Sequence, residues 1–262
     1  MSYTFISGAT GGIGKAFVYE CVAKGYDLFL TGRSSDKLQT LKDDIHKIEP
    51  NVKVEIFPCM LNDESDRAKM FAYIDEKGFK FDRIINVAGV DTQLPVLDYS
   101  LEKLIFQERV NVEGTITNTY SLLKRRAETV EIITISSMSG VTPMPYFALY
   151  SATKACLTSF FKSLRLELKK QNVKITTVLP GGVYTRPDIC EDIKGQGIWG
   201  KLSAKSPEFV AKSSLKKVKK NKRIYVPGFF NRFLYRMMKI TPERISMAYI
   251  AHRWKNITKD AF

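Results

Sequence analysis

Histidine is nearly absent from this chain: among its 262 residues only His46 and His252 occur. That scarcity argues against a zinc site or a histidine-based nucleophilic triad, and no metal site is expected. Cysteine is also scarce. Cys21, Cys59, Cys156 and Cys190 stand far apart, make no metal-ligand pairs, and read as reduced thiols of a cytoplasmic protein. No apolar run reaches the ~18 residues that a membrane-spanning helix requires. The N-terminus lacks a basic stretch ahead of its first strand-like run, so no signal peptide is expected. Asn256-Ile-Thr258 is a formal glycosylation sequon, without meaning in an unsecreted protein. Carboxylates are the minority charge, 27 Asp and Glu against 41 Lys and Arg, for a formal charge of +14. Residues 212–223 hold seven basic residues and no acidic one. Such a run is a solvated helix face and turn, or a surface that attracts anionic cofactors, acyl carriers or membranes. No nucleic-acid recognition module accompanies it, so no nucleic-acid partner is expected.

What is present alternates. Strand-like runs at residues 3–8, 26–31, 52–58, 82–87, 130–137, 173–179 and 223–227 are separated by helix-period segments. A helical pattern follows Gly14 through Lys24, and further helical segments fall at residues 36–48, 63–77, 101–126, 149–171 and 207–218, with Asn62 as a cap for the segment that starts at 63. This alternation predicts a doubly wound, Rossmann-like parallel sheet of about seven strands, helices on both faces, in a single α/β domain. Residues 1–185 form its core. Residues 186–206 have no clean period and follow the sixth strand, which makes them a substrate lid or a plain surface excursion. Residues 228–262 form a helical extension. Within it Phe229, Phe230, Phe233, Leu234, Met237 and Met238 recur at helical spacing, with Arg232, Arg236 and Lys239 between them. That segment packs on the core or a second subunit, or else lies on a membrane surface or closes over an apolar substrate.

Three stretches carry chemistry. Gly8, Gly12 and Gly14 fall between a strand and a helix, where backbone N–H groups can hold a pyrophosphate. The second strand ends at Arg33, with Lys37 one turn later, where dinucleotide folds place either an acid for the ribose or a base for a 2′-phosphate. Arg33 therefore predicts NADP(H) over NAD(H). Tyr150-Ser-Ala-Thr-Lys154 puts a phenol and an ammonium on one helix face. A phenol titrates near ~10, and a neighbouring ammonium is expected to pull it down, so that it can exchange a proton with a carbonyl or alcohol oxygen.

Together these features resemble the short-chain dehydrogenase/reductase family over residues 3–190. The Gly8…Gly12…Gly14 stretch is similar to its cofactor loop. Asn86-Val-Ala-Gly89 is similar to its Asn-Asn-Ala-Gly segment, Ser137 lies thirteen residues before Tyr150, and Pro180-Gly-Gly-Val-Tyr-Thr185 resembles its Pro-Gly-x-Val-x-Thr. The resemblance implies that Tyr150 is general acid or base and that Lys154 lowers its pKa and binds the nicotinamide ribose. It implies that Ser137 orients the substrate oxygen and that Asn111 holds a relay water. Ser136 is a rival for the serine role, because adjacent strand residues face opposite sides. Gly8, Thr10, Gly12, Ile13 and Gly14 would surround the pyrophosphate. Asn86, Ala88 and Gly89 would flank the adenosine ribose, and Pro180, Gly181, Val183 and Thr185 would fix the nicotinamide end. Met60 stands where the family offers an Asp to adenine, leaving Asn62 or Asp63 to supply a polar contact. The resemblance also implies a homodimer or homotetramer.

These readings predict an NADP(H)-dependent oxidoreductase that interconverts a ketone and a secondary alcohol, with a lipophilic substrate such as a steroid or a 3-oxoacyl chain. Its predicted location is cytoplasmic, with peripheral membrane contact through residues 228–240. The alternative is a nucleotide-sensing or membrane-associated binding protein that keeps the fold with little turnover.

Overall fold

The chain is described by a computed structural model covering residues 2–185, 189–191, 193 and 197–255, with backbone alone at residues 197–199. Part of the expected lid and the Asn256 sequon lie outside the described residues. Seven parallel strands form one sheet in the order β3-β2-β1-β4-β5-β6-β7. They are β1 (Ser2–Ser7), β2 (Leu28–Gly32), β3 (Val54–Pro58), β4 (Lys80–Asn86), β5 (Arg126–Ile135), β6 (Val173–Val178) and β7 (Ile224–Tyr225). The order reverses between β1 and β4, and a crevice opens at the C-terminal ends of strands at such a switch point.

Each strand is followed by helix. The helices of the first half are α1 (Gly12–Val22), α2 (Ser35–Ile48) and α3 (Glu64–Glu76). After β4 come α4 (Leu101–Glu108) and α5 (Gly114–Leu123), and after β5 comes α6 (Ala148–Glu167). Beyond β6 lie α7 (Gly197–Ser203), α8 (Pro207–Lys219), α9 (Phe229–Ile240) and α10 (Glu243–Trp254). Because helices cover both faces of the sheet, its strands are apolar on both sides. On one face Ile6, Leu30, Ile85, Ile133 and Val178 pack with α1, α2 and α8. On the other, Phe5, Phe29 and Phe81 meet at 5.9–6.0 Å between ring centroids, joined by Met70, Leu122, Leu157 and Phe161.

Arg83 is a charged exception inside this sheet. It is buried, pairs with Glu131 on β5 at 3.1 Å, donates to Thr4 Oγ1 at 3.0 Å, and lies 4.2 Å from the Tyr26 ring centroid.

Three sequence expectations need correction. The helix expected over residues 101–126 is two helices joined by a π-helical turn, Arg109–Glu113, and it ends at Leu123. A five-residue π turn leaves no mark in a 3.6-residue pattern. Gly114 follows it because a Cβ there would lie 2.8 Å from Leu61 O. The cap of α3 is Asp63, whose carboxylate accepts from Ser65 and Asp66 N–H; these bonds hold its pKa below the usual range. The supposedly irregular residues 186–206 contain α7, which returns the chain to a parallel bridge between Val183 and Lys205.

Candidate active site

The ends of β1 and β4 meet where the strand order reverses. Gly8 has φ +64°, and a Cβ on it would lie 2.9 Å from Ala88 Cα, so only glycine fits this turn. Ser7 Oγ accepts from the N–H groups of Val87 and Ala88 and ties the two strand ends together. A Cβ on Gly14 would sit 2.0 Å from Gly8 O, which lets α1 start directly beneath the turn. The first turn of α1 has neither a side-chain cap nor an acidic residue. Its N–H groups and the positive end of the helix dipole therefore remain available to an anion. Ile13 itself packs against the core. Thr10 borders Gly32 at the end of β2. From the far side Thr185 closes on the loop, since a Cβ on Gly12 would lie 2.9 Å from Thr185 Cβ.

The glycine cradle, the uncapped helix start and the Pro180–Thr185 cover fit a dinucleotide. Arg33 is exposed beyond the end of β2 and has no ion-pair partner among the described residues. Met60 is exposed, and its N–H donates to Asp66. Asp63 is occupied as the α3 cap, whereas Asn62 keeps a buried Oδ1 without a partner. Of the two polar groups expected to compensate for Met60, Asn62 is thus the one with an open acceptor. Asn86 turns inward, donating to Thr119 Oγ1 at 2.9 Å and to Thr134 Oγ1 at 3.3 Å. Its amide nitrogen joins β4, α5 and β5, while its Oδ1 is buried without a partner among the described residues.

Ser137, Tyr150 and Lys154 come together above the ends of β5 and β6. Tyr150 sits in the first turn of α6, and Lys154 Nζ, one turn on, lies 5.5 Å from the Tyr150 ring centroid. Lys154 is buried and donates to Ile135 O at 3.1 Å. The Ser137 hydroxyl accepts from Ser139 N–H at 3.0 Å and lies near enough to the Tyr150 phenol to favour its ionised form. Ser136 instead donates to Lys154 O at 2.7 Å and meets Thr158 Oγ1. The alternation of the strand thus points Ser137, not Ser136, at the phenol. Gly140 allows this approach: a Cβ there would lie 2.6 Å from the backbone carbon of Lys154.

Asn111 occupies the π turn and is fully buried. Its Oδ1 accepts from Val90 N–H at 2.8 Å, and its Nδ2 donates to Val90 O and Thr153 Oγ1. The side chain therefore clamps the segment that follows Gly89. A Cβ on Gly89 would lie 3.1 Å from Lys154 Nζ and 3.3 Å from Asn111 Oδ1, which places all three residues around one point.

The electrostatics run against the simple expectation for the phenol. Burial pushes the Tyr150 pKa well above its ordinary value, Asp91 pushes it further, and Ser137 opposes both. Burial pulls Lys154 down to about 8, against the opposing effect of Asp91. Desolvation disfavours the charged form of either group. Asp91 acts on both members of the pair and was missed in the sequence, where it is one carboxylate in a loop of no recognisable pattern.

An aromatic wall also escaped the sequence reading. Phe147 stacks on Tyr150 with centroids 4.4 Å apart, and Trp254 of α10 meets Phe147 at 5.7 Å. The buried Asn231 of α9 donates to Ser203 O and Pro227 O and lies against Gly181. The C-terminal helices are in this way tied to the site.

Residues 2–190 match the family model for short chain dehydrogenases. A very-long-chain 3-oxoacyl-CoA reductase-like protein of Arabidopsis thaliana is 31% identical over 71% of this chain and 61% of its own. An 11-beta-hydroxysteroid dehydrogenase-like protein of the same plant is 35% identical over 69% of this chain and 58% of its own. The chain thus spans about six tenths of the length of these relatives. A solved 7beta-hydroxysteroid dehydrogenase superimposes with a TM-score of 0.82 over 95% of this chain and 96% of its own, at 22% identity, a likeness of fold.

Proposed function

This chain belongs to the short-chain dehydrogenase/reductase family, and from that premise we propose that it is an NADP(H)-dependent oxidoreductase interconverting a ketone and a secondary alcohol. The observation that carries this reading is the Ser137–Tyr150–Lys154 cluster at the C-terminal edge of the sheet, beside a glycine cradle that fits a dinucleotide.

A nicotinamide cofactor, when bound, supplies the hydride. The chain's own residues govern the proton. Tyr150 is held neutral by its raised pKa and so carries the proton that a carbonyl oxygen receives on reduction. Ser137 orients that oxygen through its hydroxyl. Lys154, protonated below about pH 8, stabilises the phenolate left behind. Asn111, beside Lys154 at Gly89, positions the route by which the proton is replaced from water.

Preference for the 2′-phosphate rests on Arg33, exposed and without an ionic partner among the described residues, with Lys37 following it. The carboxylate of Asp27 is at the opposite end of β2 and accepts from Lys53 N–H. A lipophilic substrate is supported by the Phe147 and Trp254 wall and by relatives named for 3-oxoacyl-CoA and hydroxysteroids. Exposed Leu101 and Ile105 on α4 support pairing of two copies.

The test is NADPH and NADH oxidation against steroid and 3-oxoacyl ketones, with Arg33→Ser alongside. The reading expects turnover with NADPH preferred, and a preference reduced at least about tenfold in the variant, since a charge-assisted phosphate contact is lost. An unchanged preference in Arg33→Ser would remove Arg33 as its source.

A further inference from the structure

The helix α9 is apolar on two faces, and only one of them is needed for folding. Its inner face sets Leu234, Tyr235 and Met238 against Met138, Leu179 and Val226. Its outer face carries Phe229, Phe233, Met237 and Ile240, exposed by 81%, 52%, 40% and 73%. At 3.6 residues per turn these four fall within an arc of ~80°. Arg232, Arg236 and Lys239 are exposed along one border of that stripe. The next helix continues the surface: α10 has no buried residue, and Ile245 and Tyr249 are exposed by 59% and 63%.

A second feature adjoins the stripe. The C-terminal end of α8, β7 and α9 enclose an open groove of about 460 Å³ lined by Lys216, Lys217, Lys219, Lys220, Tyr225 and Arg232. Lysines at the end of α8 suit the helix dipole, but Arg232 enters from a different helix, for which that reason does not hold. Residues 209–242 contain ten lysines and arginines and no carboxylate. Among the described residues none of the ten forms an ion pair; every pair found lies elsewhere in the chain.

We propose that α9 and the groove beside it form a docking face for an anionic lipid bilayer. The outer stripe enters the headgroup–acyl boundary, and the Lys216–Arg232 groove takes lipid phosphates. An apolar stripe bordered by basic residues is the arrangement that lies in a membrane interface. Each basic residue brought to an anionic surface strengthens binding by about fivefold. A second copy of the chain fits less well, because two such faces would set like charges opposite one another. The face also has a use for catalysis. The helix that follows it, α10, sets Trp254 against Phe147, which stacks on Tyr150, so membrane contact and the site share one structural unit.

The experiment is flotation of the full chain with phosphatidylcholine vesicles, and with vesicles containing 30% phosphatidylserine. Binding is expected to the anionic vesicles alone and is lost in 0.5 M NaCl. Phe229→Ser with Phe233→Ser, and separately Lys216→Gln, Lys219→Gln and Arg232→Gln together, should each lower partitioning more than about tenfold. Thermal melts check that both variants stay folded, and the salt series on the unaltered chain stands in for either one that does not. The proposal is overturned by equal binding to neutral vesicles, by no binding to anionic ones, or by a stripe variant that partitions unchanged. It is equally overturned if the stripe variant only dissociates an oligomer in sizing experiments. Binding is read without turnover, so its failure leaves the oxidoreductase reading intact.

Discussion

The ring of Phe147 lies 4.4 Å from that of Tyr150 and nearly parallel to it, and Trp254 closes on Phe147 from the far end of the chain. The phenol is therefore walled on one side by aromatic surface, where a broad apolar ketone can lie flat. Replacing Trp254 with Ala should raise KM for a steroid or long-chain ketone by about tenfold, the worth of one aromatic contact with its buried area. KM for a small ketone should stay the same. Steady-state kinetics on both substrates check this, and equal effects would remove Trp254 from the substrate wall.

Gly89 is held between Lys154 Nζ and Asn111 Oδ1, 3.1 and 3.3 Å from where its Cβ would lie. Gly89→Ala should displace the lysine. We expect kcat to fall more than about tenfold while the thermal midpoint moves by only about 2 °C, since Gly89 is exposed. Retained kcat would show that the lysine position tolerates the shift.

The pH dependence follows from the Tyr150–Lys154 pair. Lys154 is protonated below about 8, and Tyr150 is a neutral phenol throughout that range. The proposed reduction needs both protons, so kcat/KM for the ketone should decline as pH rises through about 8. Asp91 raises the pKa of both groups, so Asp91→Asn should move the alkaline limb to lower pH. A limb that stays in place would show that Asp91 does not govern the lysine.

Arg83 and Glu131 form a buried pair at 3.1 Å within the sheet. Glu131→Ala removes the nearer carboxylate of the buried guanidinium, leaving Asp82 at 3.8 Å, and also strips Lys174 of its partner. That should cost about 3 kcal/mol and lower the thermal midpoint by about 8 °C. Calorimetry reads the change; a shift under about 2 °C would mean that water takes over the pairing.

The sheet and the site were legible to different depths. Strands buried on both faces write continuous apolar runs, so all seven could be read from residues such as Ile84, Ile85, Ile132 and Ile133. Spacing also reveals Tyr150 and Lys154, because one helical turn joins them, and it brings Ser137 near. It does not decide between Ser136 and Ser137, which required the direction of β5. The π turn around Asn111 was hidden because it adds residues without breaking the apolar period. Asp91 and the contact of Trp254 with Phe147 depend on how distant segments fold together, and no local pattern encodes either. Asn86 showed the converse: a motif position whose side chain holds Thr119 and Thr134.

In the proposed reduction Tyr150 delivers the proton. The most direct measurement is single-turnover NADPH oxidation by Tyr150→Phe with a ketone that the unaltered chain reduces, alongside NADPH affinity. The expected rate is about a thousandfold lower, with cofactor affinity unchanged. Reduction at the unaltered rate in Tyr150→Phe would contradict it and move the proton to another group.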